Sequence, residues 1–201
     1  MLLMPAALVL SLAQAVAGVH VPGGQSPSVE QKKQTEILND QKLASLMSAV
    51  GILLDPKNRL TTTQTYQALR LVLTTNTTPA ANSNSLAQTF VTSLNSSERR
   101  PGQLPRHRSI ELSAQHLVVL TVDSSNRLRW WSQIPDPRIL RAEEPQANNR
   151  LSGRVIYQLS VEASVEIPDD PSATELRFYH PQWTDDRFVL TLVSSVELNK
   201  N

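Results

Sequence analysis

The sequence contains no cysteine, so disulfides, thiolate metal sites and cysteine nucleophiles are excluded. For an exported protein, this absence is more typical of a bacterial envelope than of small eukaryotic extracellular domains, which usually need disulfides. Glycine is scarce, with 6 residues among 201, and no glycine-rich phosphate-binding loop is present. We therefore expect no cofactor.

An excess of charge of either sign is also missing. Lys and Arg together number 19 and Asp and Glu 18, so the overall field favours neither nucleic acid nor an anionic membrane as a partner. One local basic cluster comprises Arg99, Arg100, Arg106, His107 and Arg108. Because Pro and Gly interrupt it, we interpret it as a solvated linker, with contact to lipid head groups or anionic glycan as the alternative.

The first residues form an apolar run that ends in small residues, which is typical of a secretory signal peptide. Ala-x-Ala patterns predict cleavage after Ala15 or Ala17, and we assign 1–17 to the signal. No Lys or Arg precedes the run, so an uncleaved anchor is the alternative, although the run is short for a membrane span. We expect a periplasmic or secreted protein, with the bacterial envelope favoured and no integral span after cleavage.

Apolar spacing predicts a flexible mature N-terminus at 18–27, a helical region at 28–97 and a linker at 98–108. Ser28 and Gln31 match a capping box that would open the first helix, which should end near Asp55. Its apolar face comprises Leu43, Leu46, Met47, Val50, Leu53 and Leu54. A second helix is expected from Gln64 to Leu73, and a third in which Leu86, Phe90 and Leu94 stack at four-residue spacing.

From Ser109 the apolar period becomes two, which is typical of β-strands. The longest alternating run extends from Gly153 to Pro168, with Val, Tyr, Leu and Ile on one face and Gln, Ser and Glu on the other. Shorter runs separated by Asp-, Asn- and Pro-rich turns bring the number of expected strands to six or seven. We predict an antiparallel β-sandwich, immunoglobulin-like, over 109–199.

Adjacent tryptophans on one predicted strand must point to opposite faces. Leu128 and Ile134 share parity with Trp130, so Trp130 is predicted to be core and Trp131 exposed or covered by a loop. An exposed Trp131 beside Arg129 would be able to stack on a sugar, a peptide or another Arg. Trp131, Arg129 and Trp183 are our candidate ligand-binding residues, with burial under the N-terminal helices as the alternative for Trp131.

No pattern of catalytic residues stands out. The four histidines have no metal-ligand spacing, and neither a Gly-x-Ser-x-Gly elbow nor a Ser-x-x-Lys pair is present. The nearest approach to a reactive cluster is His180 with Asp185 and Asp186, which we interpret as turn chemistry. Asp169 and Asp170 are likewise interpreted as turn residues, because two carboxylates supply too few oxygens for calcium.

The sequence therefore favours an exported, non-enzymatic binding or structural module of the cell envelope or extracellular space, with a protein or glycan partner. An exported hydrolase or carbohydrate-active protein, with a nonstandard site at His180, is the alternative. A third possibility is an assembly subunit that donates or accepts a strand at a sheet edge. The sequence does not indicate the oligomeric state.

Overall fold

A computed structural model describes residues 36–55, 63–75, 89–104, 110–145 and 151–198, and these are mainly β-strand. The element bounds are β1 Glu36–Leu38, α1 Asp40–Ala49, β2 Thr65–Thr75, β3 Phe90–Pro101, β4 Ile110–Leu112, β5 His116–Val122, β6 Leu128–Pro135, β7 Ile139–Pro145, β8 Leu151–Tyr157, β9 Ser160–Pro168, β10 Glu175–Thr184 and β11 Arg187–Glu197. All strand pairs between these elements are antiparallel. The signal peptide and the flexible mature N-terminus predicted at 1–27 lie outside the described residues.

The strands form four sheets. One has four strands in the order β11-β10-β5-β6, and a second has three in the order β3-β2-β9. Two further sheets have two strands each, β1 with β4 and β7 with β8. We call the β7–β8 pair the ribbon. It shares no strand pairing with the two larger sheets.

The central strand β5 is apolar on both sides because it is covered on both faces. Leu117 and Val119 pack with residues of the three-stranded sheet, such as Leu71 and Val165, in one core cluster. Val118 and Leu120 point the other way and pack in a second cluster that includes the helix. The described chain is therefore layered as helix, four-stranded sheet and three-stranded sheet. This explains why β5 lacks the alternation of apolar and polar residues expected of a strand with one wet face.

Helix α1 supplies the outer apolar layer. Its N-cap Asn39 accepts a hydrogen bond from the Lys42 amide at 2.8 Å. Leu43 and Met47 are fully buried one turn apart, which confirms an amphipathic helix in this part of the sequence. The helix begins at Asp40 rather than at Ser28, because β1 occupies Glu36–Leu38, and Ser28 itself lies outside the described residues.

The second and third predicted helices are wrong. Gln64 to Leu73 lies largely in β2, and Phe90 and Leu94 lie on β3. Four-residue spacing fits one face of a helix and also one face of a strand, and here Leu69, Leu71 and Leu73 bury one face of β2 at period two. β2 pairs along its length with β9, so strands from both sides of the predicted 98–108 linker share one sheet.

The alternating run from Gly153 to Pro168 is two strands rather than one. β8 belongs to the ribbon, whereas β9 pairs with β2. Val165 and Ile167 are buried as predicted, but Tyr157 and Leu159 are exposed. The chain turns at Gln158, whose amide donates to the Arg138 carbonyl, and at Leu159, whose carbonyl accepts from Thr75. These two hydrogen bonds tie the adjacent residues Gln158 and Leu159 to different sheets. The apolar–polar alternation of the sequence therefore continues from β8 into β9, although the two strands pair with different partners.

Candidate functional site

The predicted contact residue Trp131 lies on β6, where it packs against the helix-side cluster. Trp130 packs against the opposite cluster, so both tryptophans are partly covered. The contact of Trp131 with the cluster that contains Leu43 and Met47 agrees with the alternative that the N-terminal helical part covers Trp131. The Trp131 indole Nε1 is buried without a hydrogen-bond partner among the described residues. A ligand-binding role for Trp131 stays a prediction.

Arg129 is held by a carboxylate. Arg129 has no partner residue in β5, because Thr121 pairs with Trp130 and the next residue, Val122, pairs with Leu128. The β6 strand therefore bulges at Arg129. The Arg129 Nε lies 2.7 Å from Oδ2 of Asp170, whose side chain is only 4% exposed. Asp170 also accepts from the Ser172 amide at 2.8 Å. Arg129 therefore connects β6 to the segment between β9 and β10.

Trp183 lies on the same side of the four-stranded sheet as Trp131 but at a distance from it. Its ring stands edge-on to Phe188 across the β10–β11 pair, with centroids 4.9 Å apart. Trp131 on β6 and Arg177 on β10 lie at the same level of the sheet, because both pair with Leu120 of β5. Trp183 is six residues beyond Arg177 on β10, which separates it from the level of Trp131 by roughly 20 Å at the rise of a strand. The structure thus does not assemble Trp131, Arg129 and Trp183 into one surface.

His180 is separated from the two acids beside it in sequence. Its side chain is buried, and its Nε2 donates to the carbonyl of Ala114 at 2.9 Å. Asp185 and Asp186 form the exposed turn between β10 and β11, four residue pairs away, or about 13 Å. Both have positive φ, as the central residues of a type I′ hairpin turn require. The turn interpretation agrees with this geometry, and the hydrolase alternative stays a prediction without that cluster.

The charged groups that act on His180 are Asp136 and Arg138, which form a buried ion pair with each other. Asp136 accepts from the backbone amide, Nε and a terminal nitrogen of Arg138, and both side chains are at most 5% exposed. The Arg138 guanidinium also lies over the Phe90 ring, 4.4 Å from its centroid. Burial lowers the pKa of His180, and the Arg138 charge adds to this effect, whereas the Ala114 carbonyl and Asp136 oppose it. The neutral ring is favoured, with Nε2 protonated and Nδ1 lacking a partner in the described chain.

His180 thus ties strand β10 to the β4–β5 turn, and the Asp136–Arg138 pair lies in the β6–β7 turn. Both oxygens of the Asp136 carboxylate accept from Arg138. The Asp169 carboxylate is engaged in the same way, by Thr65, Gln67 and Arg99. Across the described ranges no group of three or more His, Asp or Glu side chains is placed to hold a metal ion. Within the same ranges, no helix is long and apolar enough to cross a membrane.

Exposed apolar side chains are concentrated on the ribbon. Eight large apolar side chains of the described chain are exposed, and four of them, Leu140, Ile156, Tyr157 and Leu159, lie on the ribbon or within two residues of its end. Leu140 and Ile156 are directly opposite each other, 47% and 36% exposed. Of the ribbon residues whose side chains the structure describes, none belongs to either core cluster. β7 is one of the shorter alternating runs from which strands were predicted, but the alternation does not indicate that its apolar side chains are exposed.

Comparisons with known proteins supply no relative: no family model, no curated protein and no solved structure matches this sequence significantly.

Proposed function

We propose that the chain is an exported, non-enzymatic binding or structural module of the cell envelope or extracellular space, which contacts a protein partner through the ribbon. The observation that carries this proposal is the exposed cross-strand pair of Leu140 and Ile156.

Exposed apolar residues are common singly, but they are unusual as a group on an element whose described side chains belong to neither core cluster. A two-stranded ribbon is at best marginally stable alone in water, and Leu140 and Ile156, 47% and 36% exposed, leave much of their apolar area in contact with water. Their removal from water by a partner would be favourable by about 25 cal/mol per Å² of apolar area. The Leu140–Ile156 pair is aliphatic and suits a protein surface better than a sugar, which aromatic rings recognise. The exposed ring of the ribbon, Tyr157, pairs with Ile139 on the opposite face.

The state of the ionisable groups supports a binding role over catalysis. Arg138 with Asp136, Arg129 with Asp170 and Arg99 with Asp169 are engaged with each other in ion pairs. Carboxylates held in this way stabilise connections between strands. They are not available as acid and base without breaking those contacts.

The immunoglobulin-like description and the exported location are part of this proposal. Two packed antiparallel sheets of four and three strands support the first. The apolar run with its Ala-x-Ala patterns supports the second. Intact mass of the chain recovered from the envelope or medium tests export: we expect the loss of the first 15 or 17 residues, and an uncleaved chain would argue against a processed signal.

Site-specific photo-crosslinking tests the binding role. A photoreactive amino acid replaces Leu140 in one variant and Leu192, an equally exposed residue of β11, in the control. We expect irradiation of intact producing cells to give a discrete protein adduct from position 140 and none from position 192. Absence of an adduct at 140, or equal labelling at both positions, would overturn the proposed contact.

A further inference from the structure

Strand β7 has a free edge. Its only strand neighbour in the described chain is β8. The Gln158 amide donates to the Arg138 carbonyl, and Leu140 pairs with Ile156 in the same ladder. Because antiparallel strands alternate their hydrogen-bonding direction, even-numbered residues of β7 face β8 and odd-numbered residues face away. The Ile139 amide agrees with this assignment, since it donates to the Asp136 carbonyl instead.

The backbone N–H and C=O groups of Arg141 and Glu143 therefore point to the free edge. Both side chains are exposed and carry opposite charges. Ala142 lies between them, so an antiparallel copy of the same segment, centred on Ala142, would place each Arg141 opposite the Glu143 of the other copy. Opposite charges in directly opposed positions stabilise a strand pair, and like charges destabilise it.

We propose that a second copy of this chain pairs with β7 along this edge, antiparallel and about a two-fold axis through Ala142. The outward-facing residues of both copies then meet, because Arg141 of each copy lies opposite Glu143 of the other. Roughly four backbone hydrogen bonds would form, two for each such pair. Pro145 has no N–H and the Ile139 amide is already used, so the pairing is confined to the centre of β7.

Charge also selects the register. Outward residues can also meet if the axis passes through Arg141 or Glu143. The first of these registers opposes Arg141 to its own copy, and the second opposes Glu143 to its own copy. Both place like charges face to face. Edge charges usually protect strands against pairing, but here their order makes the edge complementary to itself.

This inference goes beyond the proposed function and does not depend on it. A two-fold axis perpendicular to the ribbon places the Leu140 and Ile156 side chains of both copies on the same side of a four-stranded sheet. Association through the edge would therefore leave the apolar surface free and present it twice. Failure of edge pairing would leave the proposed contact of Leu140 untouched.

Sedimentation velocity on the purified full chain, with two charge reversals, tests the pairing. R141E makes both edge residues acidic and E143R makes both basic, so each variant repels itself. We expect the wild type to dimerise and each variant to associate about tenfold more weakly. An equimolar mixture of the two variants restores opposite charges in both pairs and should dimerise as the wild type does.

Two controls isolate the edge. E166R reverses an exposed charge on β9, another edge strand, and should leave association unchanged. Q115A removes the side chain that Arg141 hydrogen-bonds within the chain, and should also leave it unchanged. If a single reversal fails to fold, the double variant R141E/E143R, in which the pairs remain opposite, should dimerise.

The proposal is overturned by a wild type that stays monomeric up to about 0.5 mM, where a dimer with a Kd of about 0.1 mM would dominate. It is also overturned if R141E and E143R each dimerise as well as the wild type does. A monomeric mixture of the two folded variants, or a folded double variant that stays monomeric, would overturn it too.

Discussion

Arg129 on β6 and Asp170 in the β9–β10 connection form an ion pair, with Nε 2.7 Å from Oδ2 and side chains 13% and 4% exposed. Arg129 is the extra residue in β6, and Asp170 follows β9. The pair therefore joins the edge of the four-stranded sheet to the chain that leaves the three-stranded sheet. Its partners are distant in sequence, and no local pattern indicates that they meet.

Replacement of Arg129 with Met should lower the free energy of unfolding by about 3 kcal/mol, because it leaves the Asp170 carboxylate buried without its cation. Denaturant unfolding measures this. Arg100→Met is the matched control, since the pair of Arg100 with Glu98 is well exposed and should contribute less than about 1 kcal/mol. Equal losses in both variants would show that the burial of the Arg129 pair carries no special weight.

Stability should fall as the pH drops below 6.5, the usual pKa of histidine. Burial lowers the pKa of His180 in the folded state, so below that pH the unfolded chain binds the proton more readily. The stabilisation is present above 6.5 and is lost as the pH falls towards the folded pKa. Burial, together with the Arg141 charge, lowers the pKa of His116 in the same direction.

Unfolding free energies measured across this range for the wild type, His180→Gln and His116→Gln separate the two contributions. Gln is able to keep the donor to the Ala114 carbonyl while removing the titration. We expect a shallower pH dependence in each variant. An unchanged slope in His180→Gln would mean that His180 does not remain neutral in the fold.

Trp131→Ala should cost about 2 kcal/mol of stability, since the ring packs against the helix-side cluster. Leu192→Ala, on an exposed side chain of β11, should cost less than about 1 kcal/mol and serves as the control. Thermal unfolding compares them. A Trp131→Ala protein as stable as the control would favour the ligand-binding role predicted from the sequence.

Asp186→Gly should stabilise the protein by about 0.5–1 kcal/mol, because the turn holds Asp186 at a φ of 63°, where glycine has no steric cost. The contrasting variant is Asp123→Gly, which should destabilise the fold: the Asp123 carboxylate accepts from the amides of Ser125 and Arg127. Melting temperatures report both changes. A loss of stability in Asp186→Gly would imply that its side chain has a role beyond the turn.

The sequence predicted the strands best where alternation and a local turn coincide. β10 and β11 follow this rule, because Thr184 pairs with Arg187 around a turn of two Asp residues. Helix α1 was also anticipated, since Leu43 and Met47 lie on one face. In β2 the spacing was ambiguous, and the antiparallel partners β3 and β9 decide the outcome. Such pairing between distant segments is not encoded in local periodicity.

The candidate site was less predictable than the fold. Burial of Trp131 depends on α1 covering one face of the four-stranded sheet, which the residues around Trp131 do not indicate. Exposure of Leu140 depends on the ribbon standing outside both larger sheets. The apolar–polar alternation of β7 resembles that of a core strand. An apolar face has the same sequence pattern whether the rest of the protein or a partner covers it.

The central claim is that Leu140 and Ile156 serve a partner and not the fold. Denaturant unfolding of the double variant Leu140→Ser/Ile156→Ser tests it most directly, with Val165→Ser, a buried residue of β9, as the positive control for core loss. We predict that the double variant loses less than about 1 kcal/mol, as expected for surface positions. A loss of about 3 kcal/mol or more, comparable to the control, would place the pair in the core of the folded protein and contradict the proposal.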